Sequence, residues 1–444
     1  MTKGSPVRLI LMFALPLIAG NIFQQLYTIV DGMVVGKFVG VHALAAVGAV
    51  DWYNWMVLGV IQGFTQGFGI VVSQEYGRKN MEGLKAIIMT SLLLSAIFSA
   101  VLLVLMELSV SGALVILNVP EEIKDLAGLY LRIIFAGIPV VFAYNALSVI
   151  LRSLGDSRSP LIAMVIATVS NIIMDVVFVV SFGWGVAGAA AATILAQFFS
   201  AVYCAVVLAG IKDISLSGVK KEIDRRWAAS MIRLGTPVAL QNAIISVGGI
   251  VLQAIVDTFG VIFIAGYTAA NKLYGLLESA GLGFGYAMLT YSGQNLGAGD
   301  IKRIRQGTRA ACIIAIISCG VVMAVMMVFG KDLLSLFISG SPEDAELTLK
   351  YAFDFLKLMC IFLPILYILH VVRSCLQGMG YTRVAMVSGF VELFMRISTA
   401  LLLTNFFGET ALYWAEMLAW TGADCILLPG YFINISRLQK GDIT

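Results

Sequence analysis

Residues 8–36 read RLILMFALPLIAGNIFQQLYTIVDGMVVG. The single charged side chain between Arg8 and Lys37 is Asp31. A helix crosses hydrocarbon in about 20 apolar residues, so this stretch is long enough with a turn or two to spare. A spanning β-strand would instead alternate polar and apolar residues, and this run is continuously apolar. It is longer than the apolar core of a signal peptide, so it reads as a retained first span and not as a cleaved signal peptide. The chain thus enters a membrane as a helix and carries a carboxyl group in with it.

The rest of the 444-residue chain has the same character. Hydrophobic residues make up 60% and charged residues 12%, against roughly 45–50% and 25% in globular chains, and the mean hydropathy is +0.95. So few charges cannot cover a water-facing surface. The net charge of +3 leaves no polybasic footprint for nucleic acid. Cys204, Cys312, Cys319, Cys360, Cys375 and Cys425 lie in apolar stretches without a C-x-x-C pair and read as small buried hydrophobes. The two histidines, His42 and His370, are too few for a histidine-based metal centre. No nucleophile, acid–base or metal set is clustered along the chain, so an enzyme is not expected.

Apolar runs between charged or Gly/Pro-rich breaks fall at 8–36, 43–72, 84–106, 127–151, 159–182, 185–210, 229–256, 262–293, 302–330, 352–376, 384–406 and 411–436. The expected fold is an all-α polytopic membrane protein with twelve transmembrane helices. Lys and Arg orient it. With both termini in the cytoplasm, Arg78, Lys79, Arg152, Arg158, Lys220, Lys221, Arg225, Arg226, Lys302, Arg303, Arg373, Arg383 and Arg437 fall on the cytoplasmic side. The outer side keeps only Lys37, Lys124, Arg132, Lys331, Lys350 and Lys357.

The longest polar break, 211–228, separates an N-terminal half, 1–210, from a C-terminal half, 229–444. The halves align in order: Pro16 and Asn21 with Pro237 and Asn242, Gln74 and Gly77 with Gln294 and Gly297, and Leu151, Gly155 and Arg158 with Leu376, Gly380 and Arg383. Six spans per half is an even number, so the two six-helix bundles are parallel repeats, a plan used by transporters that rock two halves about a central path. Pro16 removes a backbone hydrogen bond inside the first span and is the candidate hinge.

Charges at membrane depth are functional candidates. At about 1.5 Å per residue, Asp31, Asp175 and Thr193 lie roughly 8, 10 and 12 Å in from the outer ends of their spans. Asn171 stands four residues before Asp175, on the same helix face. This layer of oxygen groups suits a small hard cation; its two carboxylates repel one another, which equally favours a shared proton. Gln24 and Tyr27 share the face of Asp31. Glu278, in the middle of the eighth span, is a candidate for attracting a cationic substrate. Met33, Met56, Tyr274, Tyr286 and Met288 are candidate wall residues. Glu392 and Arg396 are spaced to pair with each other. His370 reads as a packed core histidine.

These features resemble the multidrug and toxic compound extrusion (MATE) family, nearest its DinF-like bacterial branch. The likeness rests on ALPLIAGNIFQQLYTIVDGMVVGKFVG in the first span, NIIMD in the fifth, and the repeated L-x-x-x-G-x-x-R loops. It implies a monomeric, multi-pass carrier of the cell membrane that exports organic cations by rocker-switch exchange for H⁺ or Na⁺, with no cofactor and no nucleic-acid partner. It further implies that Asp31, Asn171, Asp175 and Thr193 bind the coupling cation (as metal ligands if that cation is Na⁺), that Gln24 and Tyr27, with Glu278 and Tyr286 added from the residue reading, contact substrate, and that Pro16 bends. The alternative is a flippase for a lipid-linked saccharide, which calls for a lateral groove lined by arginines.

Overall fold

The computed structural model describes residues 1–214, 222–338 and 342–440. Part of the polar linker, including Lys220 and Lys221, lies outside the described residues. The helices run α1 (Pro6–Val34), α2 (Val41–Arg78), α3 (Met81–Ile116), α4 (Glu121–Ala136), α5 (Ile138–Ser153), α6 (Arg158–Asp175), α7 (Gly185–Ala209), α8 (Arg225–Val256), α9 (Val261–Gly297), α10 (Ile301–Ser335), α11 (Pro342–Gly378), α12 (Thr382–Phe407) and α13 (Leu412–Lys440). No strand occurs among the described residues. Helices α4 and α5 form one span bent by 48°. The bend falls at Gly137, just before Pro139, which lacks the N–H that would continue the helix. Counted this way, the described residues hold twelve helical segments that match the twelve apolar runs; nine helices, or ten with this pair, are long and apolar enough to cross a membrane by length and composition alone, α12 and α13 being one stretch there. By length and composition alone α9 does not qualify as a span, because glycines, Lys272 and Glu278 dilute its apolarity.

Two spans end in a wider helical turn. Residues Val35–Val39 after α1 and Val176–Ser181 after α6 are π-helical, and the two segments touch. Such turns carry one extra residue and recur at functional positions. Phe178, inside the second, packs with Phe182 and Trp184 just past it, with Phe178 and Trp184 centroids 5.0 Å apart.

The repeats are visible in local geometry. Asn80 and Asp300 each cap the next helix by accepting a bond from the backbone N–H three residues on, at 3.1 and 2.9 Å. Gly155 and Gly380 both take left-handed φ, +96° and +91°, where a side chain would strain the turn. Around them Asp156 N–H donates to Leu151 O at 3.0 Å and Tyr381 N–H to Leu376 O at 2.9 Å. The repeated L-x-x-x-G-x-x-R loops are therefore one turn built twice.

The chain forms two compact units, Ala19–Ala243 (the N-terminal unit) and Met1–Ile18 with Ile244–Thr444 (the C-terminal unit). In the N-terminal unit the start of α8 lies on a glycine stripe of α2. A Cβ on Gly63 would stand 2.2 Å from Ala239 Cα, and one on Gly67 would stand 2.3 Å from Gly235 Cα. The C-terminal unit repeats the device: a Cβ on Gly283 of α9 would come 2.4 Å from Ile18 of α1. In lipid, where burial of apolar surface does not drive helices together, such close backbone approach supplies the packing. Gly63→Leu should therefore destabilise by about 3 kcal/mol, the upper end for overpacking, because its obstacle is backbone. The check is a thermal-aggregation midpoint in detergent, and an unchanged midpoint would contradict this contact.

Cys204, Cys319, Cys360 and Cys375 are buried and Cys312 half-buried, but Cys425 is exposed on α13, and all six thiols are free. The expectation of six buried cysteines fails at Cys425 because a membrane helix is apolar on its outer face as well. Met288 is fully buried in the C-terminal core and Met33 is exposed, so Met288 is core and not wall.

Candidate functional site

In the N-terminal unit, α6 places Asn171 and Asp175 one turn apart on a buried face, 1% and 0% exposed. From α7, Thr193 meets them: Asn171 Nδ2 donates to Thr193 Oγ1 at 3.5 Å. From α1, the Asp31 carboxyl comes within electrostatic reach of Asp175. The structure thus brings together the four residues singled out by depth.

The hydrogen-bond accounting of this layer is unusual. Asp31 Oδ1, Asn171 Oδ1 and both carboxyl oxygens of Asp175 are buried with no hydrogen-bond partner among the described residues. Among the described residues neither acid enters an ion pair. Buried oxygens are normally satisfied, and an exception calls for an ion, a water or a functional role. Two carboxyls, an amide oxygen and a hydroxyl make a hard, anionic ligand set suited to H⁺ or Na⁺. Softer metals are a poor match: among the described residues no group of three or more His, Cys, Asp or Glu side chains is placed to hold a metal ion. Each acid also abuts a wide turn. Val176 follows Asp175 directly, and Val35 comes four residues after Asp31.

Gln197 and Tyr130 lie near this layer and escape the sequence reading, and Asp51, an in-span acid that the sequence places near the outer interface, joins them. Gln197, one turn beyond Thr193, has a buried Oε1 without a partner. Tyr130 of α4 is 8% exposed and lies within electrostatic reach of Asp31, Asp51 and Asp175. Asp51 is on an exposed part of α2 and also reaches Tyr27. The buried tyrosine is the strongest missed signal, since a phenol inside a span needs a polar partner.

Of the expected substrate residues, Gln24 and Tyr27 are half-buried on α1 in the N-terminal unit. Glu278 and Tyr286 are half-buried on α9 in the C-terminal unit. Pro16 sits inside an unbroken α1, within the part that belongs to the C-terminal unit.

The C-terminal unit carries no copy of the acid pair. At the positions matching Asn171 and Asp175 stand Arg396 and Ala400. Arg396 Nη2 donates to Glu416 Oε2 at 2.8 Å, and its Nη1 donates to Ile245 O at 3.2 Å. Arg373 Nη2 donates to Glu392 Oε1 and, at 3.1 Å, to Ser388 Oγ. The expected Glu392–Arg396 pair along α12 is therefore not formed. Pairing across helices satisfies four buried charges where the intrahelical pair would strand Arg373 and Glu416, and a stranded buried charge is costly. Arg373 is 7% exposed inside α11, so it is not one of the loop charges that mark the cytoplasmic side. His370 is not simply packed either, since its Nε2 lies 3.2 Å from Glu278 Oε1.

The MatE family profile matches this chain twice, over residues 16–177 and 237–402, which is well over half of it and follows the internal repeat. The chain is similar to the "Probable multidrug resistance protein YpnP" of Bacillus subtilis (strain 168), 29% identical over 385 residues, covering 85% of this chain and 84% of that one. It is also similar to the "Probable multidrug resistance protein NorM" of Thermotoga maritima, 25% identical, covering 90% and 86%. Among solved structures, a MOP superfamily transporter from Pyrococcus furiosus superposes with a TM-score of 0.91 at 23% identity, covering 99% of this chain and 98% of that one.

Proposed function

Because the chain belongs to the MatE family of membrane transporters, we propose that it is a cation-coupled multidrug antiporter that exports organic cations by alternating access. The observation that carries this is the set of four buried, unpartnered oxygens on Asp31, Asn171 and Asp175. In this reading the acid pair takes up H⁺ or Na⁺, with Asn171 and Thr193 completing the cation's shell. Filling the pair removes the repulsion between the carboxyls, and α1 responds by bending at Pro16. Gln24, Tyr27, Glu278 and Tyr286 contact the exported molecule, with half-buried aromatic faces suited to delocalised cations. The chain works as a monomer in the cell membrane with both termini cytoplasmic. The multidrug names of the relatives support the substrate class.

The flippase alternative gains no support from the crevice on the flank of the N-terminal unit. A crevice of about 330 Å³ on the flank of α5 and α7 is lined by apolar residues, among them Pro139, Val140, Phe198 and Val202, with none of the arginines that an anionic head group requires.

The test is transport of ethidium in proteoliposomes with a Na⁺ gradient or a pH gradient imposed alone. One of the two should drive uphill movement of the dye. Movement with neither, or only down the dye's own gradient, would remove the antiport reading.

A further inference from the structure

Helix α2 carries a carboxyl group inside an otherwise apolar run, and its packing decides which way that group points. Ala43, Ala46, Val50 and Val57 are buried on one face. Tyr53 fixes the rotation of the helix. Its hydroxyl lies 2.6 Å from Ser109 Oγ of α3, and its ring meets Phe135 of α4 edge-on at 5.7 Å. At about 100° per residue, the opposite face carries Gly48, Asp51, Trp52 and Trp55. Asp51 is exposed, Trp52 and Trp55 are 41% and 39% exposed, and a Cβ on Gly48 would meet nothing within 4 Å. A carboxylate on an open face of an apolar span is tolerated where water reaches it. Asp51 therefore marks a wetted side of α2.

That side adjoins the buried layer. Asp51 is within electrostatic reach of Tyr27 of α1 and of Tyr130 of α4, and the same two phenols are reached by Asp31 and Asp175. Three acids, from α1, α2 and α6, thus act on two tyrosines inside the N-terminal unit. The arginine nearest Tyr130 in sequence, Arg132, is engaged by Glu107 of α3 at 3.6 Å. Exposure falls in steps along the three acids: Asp51 is exposed, Asp31 half-buried and Asp175 0% exposed. A cation arriving from water meets the most accessible carboxylate first and the fully buried one last.

The two ends of this series suit different tasks. The buried oxygens of Asp31 and Asp175 that lack partners among the described residues are placed to retain a cation. An exposed carboxylate holds a small cation weakly, because water competes for it, but its field raises the local cation concentration and the rate of arrival.

We propose that Asp51 is the entry station for the coupling cation, drawing H⁺ or Na⁺ from water to the open face of α2 and passing it to Asp31 and Asp175, which leaves Asp51 ionised again. This rests on the reading that the acid pair takes up a coupling cation. Asp51 is then a positioning residue, which sets how much cation is needed to fill the pair and leaves the exchange that follows unchanged.

The test is ethidium transport in proteoliposomes as a function of Na⁺ concentration at fixed pH, and of pH without Na⁺. The arm that drives the wild type identifies the cation. In that arm Asp51→Asn should raise the half-saturating cation concentration about three- to tenfold, at the low end of electrostatic steering, with the maximal rate unchanged. For H⁺ this is a shift of about 0.5–1 pH unit toward acid, since removing a negative charge lowers the local proton concentration. Asp51→Ser should give the same shift and Asp51→Glu should restore the wild-type value. The gap should close as N-methylglucamine chloride raises the ionic strength, because exposed charges are screened beyond about 10 Å at 0.1 M salt. A half-saturation point unmoved in Asp51→Asn, or a lowered maximal rate that saturating cation does not restore, overturns the entry station alone. A wild type driven by neither gradient overturns the coupling reading together with it.

Discussion

Asp31→Asn protein is expected to fold as well as the wild type and to lose gradient-driven dye transport. Asparagine has nearly the shape of aspartate, so the packing of α1 is kept. What changes is charge. Asp31 and Asp175 are within electrostatic reach of each other, and four oxygens of their layer lack partners among the described residues. Two unit charges about 4 Å apart interact by on the order of 4 kcal/mol at the effective dielectric of partly buried sites. Removing one therefore costs a bound cation roughly two to three decades in affinity. The same substitution relieves the repulsion in the cation-free state and gives Asp175 an amide donor. Thermal stability should then be unchanged or higher while coupled transport falls at least about 100-fold. The two readouts, a melting midpoint in detergent and ethidium movement in proteoliposomes, separate the site from a structural polar network. A lower midpoint with transport intact would assign Asp31 to packing.

Arg373→Met carries the largest expected loss of stability. Arg373 and Glu392 are 8% and 5% exposed at the side chain, so methionine would leave Glu392 as an uncompensated buried carboxylate and would take from Asp424 its nearest positive charge. Breaking one partner of a buried pair costs about 3–5 kcal/mol. Replacing both partners with apolar groups is often close to neutral, so the Arg373→Met/Glu392→Leu protein should recover most of the loss. A double-mutant cycle of melting midpoints checks this. Equal midpoints for the single and double variants would show that the pair is not the unit of stability. Arg373→Lys is not expected to rescue fully, because an ammonium is more strongly hydrated than a guanidinium and costs more to bury.

The helices were legible because hydrocarbon imposes one rule along each span, and a run such as 159–182 can satisfy it only as helix. The N-terminal site was legible for a related reason. A carboxylate in such a run stands out, and the four-residue spacing of Asn171 and Asp175 fixes a shared face without tertiary information. The pairing of the C-terminal charges was not legible. Glu392 has Arg396 at the right spacing on its own helix, and only the packing of α11 and α13 against α12 offers Arg373 and Glu416 as better partners. Arg373 was read as a loop charge because its run ends only a few residues later. Gln197 left no trace and Tyr130 only the weak one of a phenol inside a span, since single glutamines and tyrosines occur in many spans without a role.

The wide turns after Asp31 and Asp175 also have a mechanical meaning. Each holds one residue more per turn than the helix leading into it, so each is a stored length of chain. Were Val176–Ser181 to tighten into an ordinary helix, every following side chain would rotate by about 100° about the axis. The stack of Phe178, Phe182 and Trp184 could not survive that rotation intact. The indole of Trp184 is thus placed where a change in the winding of the helix that carries Asp175 would first be felt.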